Sequence, residues 1–306
     1  TENGNSSGAE NKTGIDHWGC LITSISMVMN FHGIDKMPEG DVVNLSPINT
    51  WLKSQPDGYI GSWLVNWLAI TRLTKIINEQ YSTPKFEYKR IASIGDDVDL
   101  NTTHNLAAAK DEVTAGKPAI LQILGHFLVG NGVVKDEDDL YITDPGYSYE
   151  KFSEHQQPLL STRTLEPTFT DLSYIHLSHE PNISLSLKKA DNSEINNLES
   201  FEEHISEFIV DESFNGGGYT QNNSPTSKIH EIEKPENGEY IIEISQENFG
   251  SFDLTIFTYN KNGDLSNLSS SFLVGKNKIQ LKLIYDNEGN SRLEQIVDFN
   301  TLLNDI

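Results

Sequence analysis

Gly19-Cys20-Leu21-Ile22-Thr23-Ser24-Ile25-Ser26-Met27-Val28-Met29-Asn30-Phe31-His32-Gly33 holds the one cysteine of a 306-residue chain. Ile25, Val28, Met29 and His32 follow the i, i+3, i+4, i+7 spacing of a helix that buries one face. Gly33 is a stop signal for that helix. This places Cys20 at or near the helix N-terminus, where free backbone N–H groups and the helix dipole favour an anion. A thiolate is such an anion, and it is a nucleophile. Read alone, the same residue is equally a small apolar side chain in a core. The rest of the chain decides between the two.

Downstream, Leu106 to Ala115 has a short helical pattern closed by Gly116-Lys117-Pro118. Ala119-Ile120-Leu121-Gln122-Ile123-Leu124 follows as an apolar run of strand length, the signature of a strand buried on both faces. Gly125 to Val134 reads as a second strand, Lys135 to Asp139 as an acidic turn, and Leu140 to Thr143 as the returning strand, ending at Asp144-Pro145-Gly146. The result is a hairpin with His126 on one arm and Asp144 at the end of the other. A cysteine nucleophile needs a base to take its proton and return it to the leaving group. The base in turn needs an acceptor that fixes its tautomer. Cys20, His126 and Asp144 are therefore the candidate catalytic residues.

Gly19-Cys20-x-x-Thr23-Ser24-x-Ser26-Met27, followed by Asn30-Phe31-x-Gly33-Ile34, resembles the catalytic-cysteine helix of the papain-like, bacteriocin-processing cysteine peptidases, closest to their C39-like branch. Ala115 to Ile120, Gly125-His126-Phe127-Leu128-Val129 and Tyr141-Ile142-x-Asp144-Pro145-Gly146 resemble the remaining blocks in the same order, and the likeness spans roughly residues 14–178. It implies a papain-like fold, Cys20 as nucleophile, His126 as general base and acid, Asp144 as the residue orienting His126, and a peptide or protein substrate. One departure stands out. The family's glutamine shortly before the cysteine, whose amide helps bind the oxyanion, has no counterpart, because the first glutamine is Gln55. Asn11, Asp16 and His17 are the polar residues near that place, and a carboxylate would repel an oxyanion.

At this length two domains are expected. Residues 1–14 read as a polar, flexible lead-in to a first domain that runs to about 180 and includes helical patterns at Trp63 to Ile70, extended chain at 81–100 and a strand at Leu172 to Leu177. From 181 the pattern shifts to short alternating strands, Glu239–Ile244, Phe252–Tyr259 and Lys278–Tyr285, with Gly250, Asn262-Gly263 and Asn287-Glu288-Gly289 between them. The expected fold is therefore an α+β papain-like domain over 1–180, followed by an all-β antiparallel sandwich over 181–306.

The formal net charge is −23, and both halves of the chain are acidic. Such a surface repels phosphate backbones and excludes nucleic acid as a partner. No run of about 18 apolar residues suggests a membrane-spanning helix. A single cysteine forms no intramolecular disulfide and does not fix the compartment. The acidic charge suits an exported protein, and the resemblance to the C39-like branch of bacterial secreted proteins implies a secreted or cell-surface bacterial setting.

The remaining candidates read as structural. His17 is a loop residue near Cys20, His32 packs on the helix's apolar face, and His176 with His179 lacks the further ligands a metal needs. The acidic clusters at 96–99 and 136–139 and the Asn260 to Asp264 turn match no full calcium loop. No metal or cofactor is implied. The main expectation is a thiol peptidase; the competing one is a weak or inactive peptidase fold that binds a surface or protein partner through the sandwich.

Overall fold

The computed structural model describes residues 15–60, 64–93, 106–204, 208–209, 218–219, 225–246, 250–274 and 278–296. Helix α1 (Ile15–Phe31) ends where Gly33 adopts φ 81° and Ile34 N–H donates to the Met29 carbonyl at 3.0 Å, the glycine-terminated stop its sequence predicts. Helix α2 (Leu45–Ser54) starts at Asn44, whose side chain accepts from Ser46 N–H. Strands β1 (Tyr59–Ile60) and β2 (Leu64–Val65) form a short ladder. Helix α3 (Trp67–Tyr81) begins later than the apolar pattern suggests. The Asn66 side chain accepts from Leu68 N–H and caps it there, so Leu64 and Val65 stay extended.

Strand β3 (Lys85–Ser93), helix α4 (Ala107–Thr114), β4 (Ala119–Ile123), β5 (His126–Val133), β6 (Leu140–Thr143) and β7 (Ser161–Thr168) complete the N-terminal part, with a 3₁₀ turn at Phe152–His155. The five strands form one antiparallel sheet in the order β3-β7-β4-β5-β6. Helix α1 lies on one face over β5 and β4. There Leu21, Ile25, Val28 and Met29 meet Ile120, Phe127 and Val129. The other face packs Leu121, Ile123 and Leu128 against Ala109 of α4 and Phe152. The central strand β4 is thus covered on both sides, as its unbroken apolar run requires.

The C-terminal strands are β8 (Tyr174–His179), β9 (Ser184–Lys189), β10 (Leu198–His204), β11 (Phe208–Ile209), β12 (Gly218–Tyr219), β13 (Pro225–Glu233), β14 (Gly238–Ser245), β15 (Gly250–Tyr259), β16 (Leu265–Asn267), β17 (Ser270–Val274), β18 (Ile279–Tyr285) and β19 (Arg292–Ile296). One antiparallel sheet runs β10-β13-β8-β15-β16, with β17 also on β15, and a second runs β19-β18-β14-β9. They face each other across a core in which Leu177, Ile232, Leu254 and Ile256 meet Ile242, Ile244, Leu281 and Leu283. This is the sandwich expected from the alternating strands.

Strand β8 pairs with β13 and β15, so it belongs to the C-terminal sheet and not to the N-terminal part that the reading of 1–180 assigned it to. By strand pairing the division falls between β7 and β8. The β8 sheet is buried on both faces. Its outer face sends Ile229, Phe257 and Tyr259 into the same core as α1 and α3. Polar links cross that seam. Tyr259 O–H donates to Asp57 Oδ2 at 2.9 Å and accepts from Asn66 Nδ2 at 3.0 Å, while Lys75 pairs with Asp264 at 2.6 Å. The Asn260 to Asp264 turn is thereby a tether: Asn260 Oδ1 accepts from the Asn262 and Asp264 N–H groups, and Asp264 holds α3.

Candidate active site

A two-residue turn, Leu124-Gly125, joins β4 to β5, with Gly125 at φ 69° supplying the left-handed position. His126 therefore stands at the head of β5, paired with Ile123 and buried. Beneath it, Gln122 Oε1 accepts from Ser161 Oγ at 2.7 Å and Arg163 Nη1 at 3.1 Å, and the Arg163 guanidinium lies over the Trp67 and Phe127 rings. These contacts brace the three strands that carry His126. Cys20, on α1, is partly exposed and lies near enough to His126 to favour its charged form.

The other side of the ring belongs to Asp144. His126 Nε2 lies 2.7 Å from Asp144 Oδ1, which leaves Nδ1 for the sulfur. The same oxygen accepts from Gly146 N–H at 2.7 Å and Tyr147 N–H at 2.9 Å. The side chain of Asp144 is fully buried, yet burial is outweighed by His126, His155 and the Gly146 amide, so its carboxyl is held well below the usual range. His126 shows the converse. Burial opposes its charge, but Asp144 and Cys20 more than compensate and its pKa rises to about 9.

The structure thus joins His126 to Asp144 by a hydrogen bond, sets Cys20 near His126, and adds a residue that the sequence reading overlooked. His155, at the end of the 3₁₀ turn, places Nε2 2.7 Å from Asp144 Oδ2. Tyr147 and Tyr149 stack on each other at 5.5 Å, and their edges or faces meet His126 and His155. Nothing local in the sequence marks His155, one of nine histidines lying on a one-turn element with no periodicity. Gly146 permits the close approach: a Cβ there would stand 3.0 Å from His126 Cε1.

One expectation is corrected. Helix α1 opens at Ile15, so Cys20 is its sixth residue and lies beyond the first turn, where backbone N–H groups are free. Cys20 therefore has His126 beside it and no helix terminus. Asn11 and the acidic cluster at 96–99 lie outside the described residues, and Asp16 and His17 fall on the first turn of α1 rather than in a loop. His32 packs beside Phe86, and burial lowers its pKa. Within 136–139, Asp139 is buried and accepts from Ser153 Oγ at 2.6 Å. His176 and His179 do not converge: His176 Nδ1 binds Glu231, whereas His179 Nε2 meets His230. Among the described residues no three His, Cys, Asp or Glu side chains gather as a metal-holding group, and no helix is long and apolar enough to cross a membrane.

Comparison with known proteins gives one positive finding. The model of the Peptidase_C39 like family matches residues 9–172, more than half of the chain and all of the strands and helices that build this site. No curated protein and no solved structure matches.

Proposed function

Because the chain belongs to the Peptidase_C39 like family, we propose that it hydrolyses peptide bonds of peptide or protein substrates through Cys20, His126 and Asp144. The observation that carries this reading is the His126–Asp144 hydrogen bond with Cys20 close by, the imidazole being biased toward its protonated form. His126 takes the thiol proton, and the thiolate attacks the scissile carbonyl. The tetrahedral adduct collapses as His126 hands that proton to the leaving amine. Water, deprotonated by His126, then cleaves the thioester and returns Cys20 as a thiol. Asp144 accepts from Nε2–H throughout, which keeps Nδ1 aimed at the sulfur and stabilises the imidazolium. An exported setting, secreted or at a bacterial cell surface, is part of the same proposal and rests on the acid-rich chain and on the family likeness.

A second reading, a slow or inactive peptidase fold that serves in binding, is favoured by one observation. The Cys20 amide falls within the run of α1, where it is spent on the helix, so the oxyanion has one donor fewer. Losing such a donor lowers the rate about 10²- to 10³-fold.

Iodoacetamide alkylation of Cys20 across pH, in the wild type and in His126→Ala, separates the two. Fast labelling at pH 6 that collapses in the variant supports an activated pair and a peptidase. Slow labelling in both, titrating near the ordinary thiol value of about 8.5, overturns it.

A further inference from the structure

A cleft of about 720 Å³ in the sandwich is lined by His179, Ser200, Lys228 and His230, among others. Ser200 on β10 is exposed and sits directly opposite His230 on β13. Its Oγ lies 2.8 Å from His230 Nδ1; His230 Nε2 lies 3.1 Å from His179 Nε2; His179 Nδ1 lies 2.8 Å from the Glu180 carbonyl.

The last partner orients the whole chain. A carbonyl only accepts, so His179 carries its proton on Nδ1 and offers a lone pair at Nε2. His230 must then donate from Nε2, which leaves its Nδ1 as the acceptor for the Ser200 hydroxyl proton. The two rings are 14° from parallel with centroids 5.3 Å apart, so they meet edge to edge nearly in one plane. The two Nε2 atoms thus face each other along one line, the geometry of a shared proton and not of the bent N–metal–N angle that a tetrahedral ion needs. The bridge is therefore built for a proton and not for a metal.

We propose that Ser200, His230 and His179 form a second nucleophilic site that accepts acyl groups from activated esters. Ser200 Oγ attacks the ester carbonyl while its proton passes to His230 Nδ1 and the His230 Nε2 proton passes to His179 Nε2. The positive charge passes transiently to His179, where the Glu180 carbonyl holds the Nδ1–H against the burial and the Lys228 charge that lower the His179 pKa. The adduct expels the alcohol, which recovers a proton as the relay runs back. Water then hydrolyses acyl-Ser200 with His230 as base, so that ester and water give acid and alcohol. Burial first, then His179, His176 and Lys228, lower the His230 pKa to about 4. So weak a base suits good leaving groups such as phenolates and does not suit amides. The site thus differs from the peptidase centre in substrate as well as in place.

The test uses full-length protein carrying Cys20→Ala, so that the thiol contributes nothing and failure of the peptidase reading leaves the result untouched. A fluorophosphonate probe with peptide mapping is expected to label Ser200 ahead of the chain's other serines. Release of p-nitrophenol from p-nitrophenyl acetate is expected to fall at least ~10-fold in Ser200→Ala and in His230→Gln. Ser200→Ala changes only an exposed hydroxyl, so an unaltered melting temperature shows that the loss is chemical. No preferential labelling of Ser200, or an undiminished rate in Ser200→Ala, overturns the proposal.

Discussion

His155 Nε2 stands 2.7 Å from Asp144 Oδ2, the carboxylate oxygen that His126 leaves free. Asp144 is thus held between two imidazoles, and its plane is set from both sides. His155→Leu removes a charge-assisted hydrogen bond, and kcat/KM is expected to fall about 10- to 100-fold, as when other outer-shell partners are lost. His155→Gln keeps an N–H donor at similar reach and is expected to recover most of the loss. The pH dependence of Cys20 alkylation should shift in the Leu variant and hold in the Gln variant; identical profiles in both would reduce His155 to packing.

The folded pKa of His126, about 9, lies above its ordinary 6.5. Protonation of His126 therefore stabilises the fold fully below about pH 6.5, and that contribution is lost as pH rises through about 9. The same proton must reach the leaving amine, so kcat/KM is expected to drop on the alkaline side near 9. A pH-rate profile whose alkaline limb falls near 7 would contradict this. Asp144 has the opposite sign: its contribution is present above the ordinary carboxyl range and is lost only below it, so it does not set the acid limb.

Gly146→Ala would place a methyl group 3.0 Å from His126 Cε1 and 3.5 Å from Nε2. The ring must yield by a few tenths of an ångström, which loosens its bond to Asp144. Alkylation of Cys20 at pH 6–7 is expected to slow about 10-fold, with stability changed by no more than about 1 kcal/mol. A thermal melt beside the labelling rate checks both halves of that expectation.

Tyr259→Phe removes one hydroxyl that serves Asp57 and Asn66 across the seam between the sandwich and α3. Asp57 keeps both Arg72 Nε at 2.9 Å and Arg72 Nη2 but loses the hydroxyl donor to Oδ2 in a fully buried setting. The expected loss is about 1–3 kcal/mol, seen as a lower midpoint of one shared unfolding transition. Two separate transitions in the wild type would show that the seam couples nothing.

Local periodicity made α4, the β4–β5–β6 hairpins and the strands β14, β15 and β18 legible, because each encodes its pattern within a few residues. The residue types of Cys20, His126 and Asp144 were legible for the same reason, since each lies in a motif. What escaped was set at a distance. The start of α1 depends on polar residues with no apolar repeat, β8 looks like any alternating strand until β13 and β15 claim it, and His155 gains meaning only when a 3₁₀ turn folds back onto Asp144.

The shared core under the β8 sheet bears on how such a chain can be cut and recombined. A fragment ending near residue 172, where the family match stops, would leave uncovered the apolar side chains that Ile229, Phe257 and Tyr259 now shield. It would behave as a sticky, self-associating remnant rather than as a portable catalytic module. In a gene fusion or a natural rearrangement, the two parts are expected to travel together.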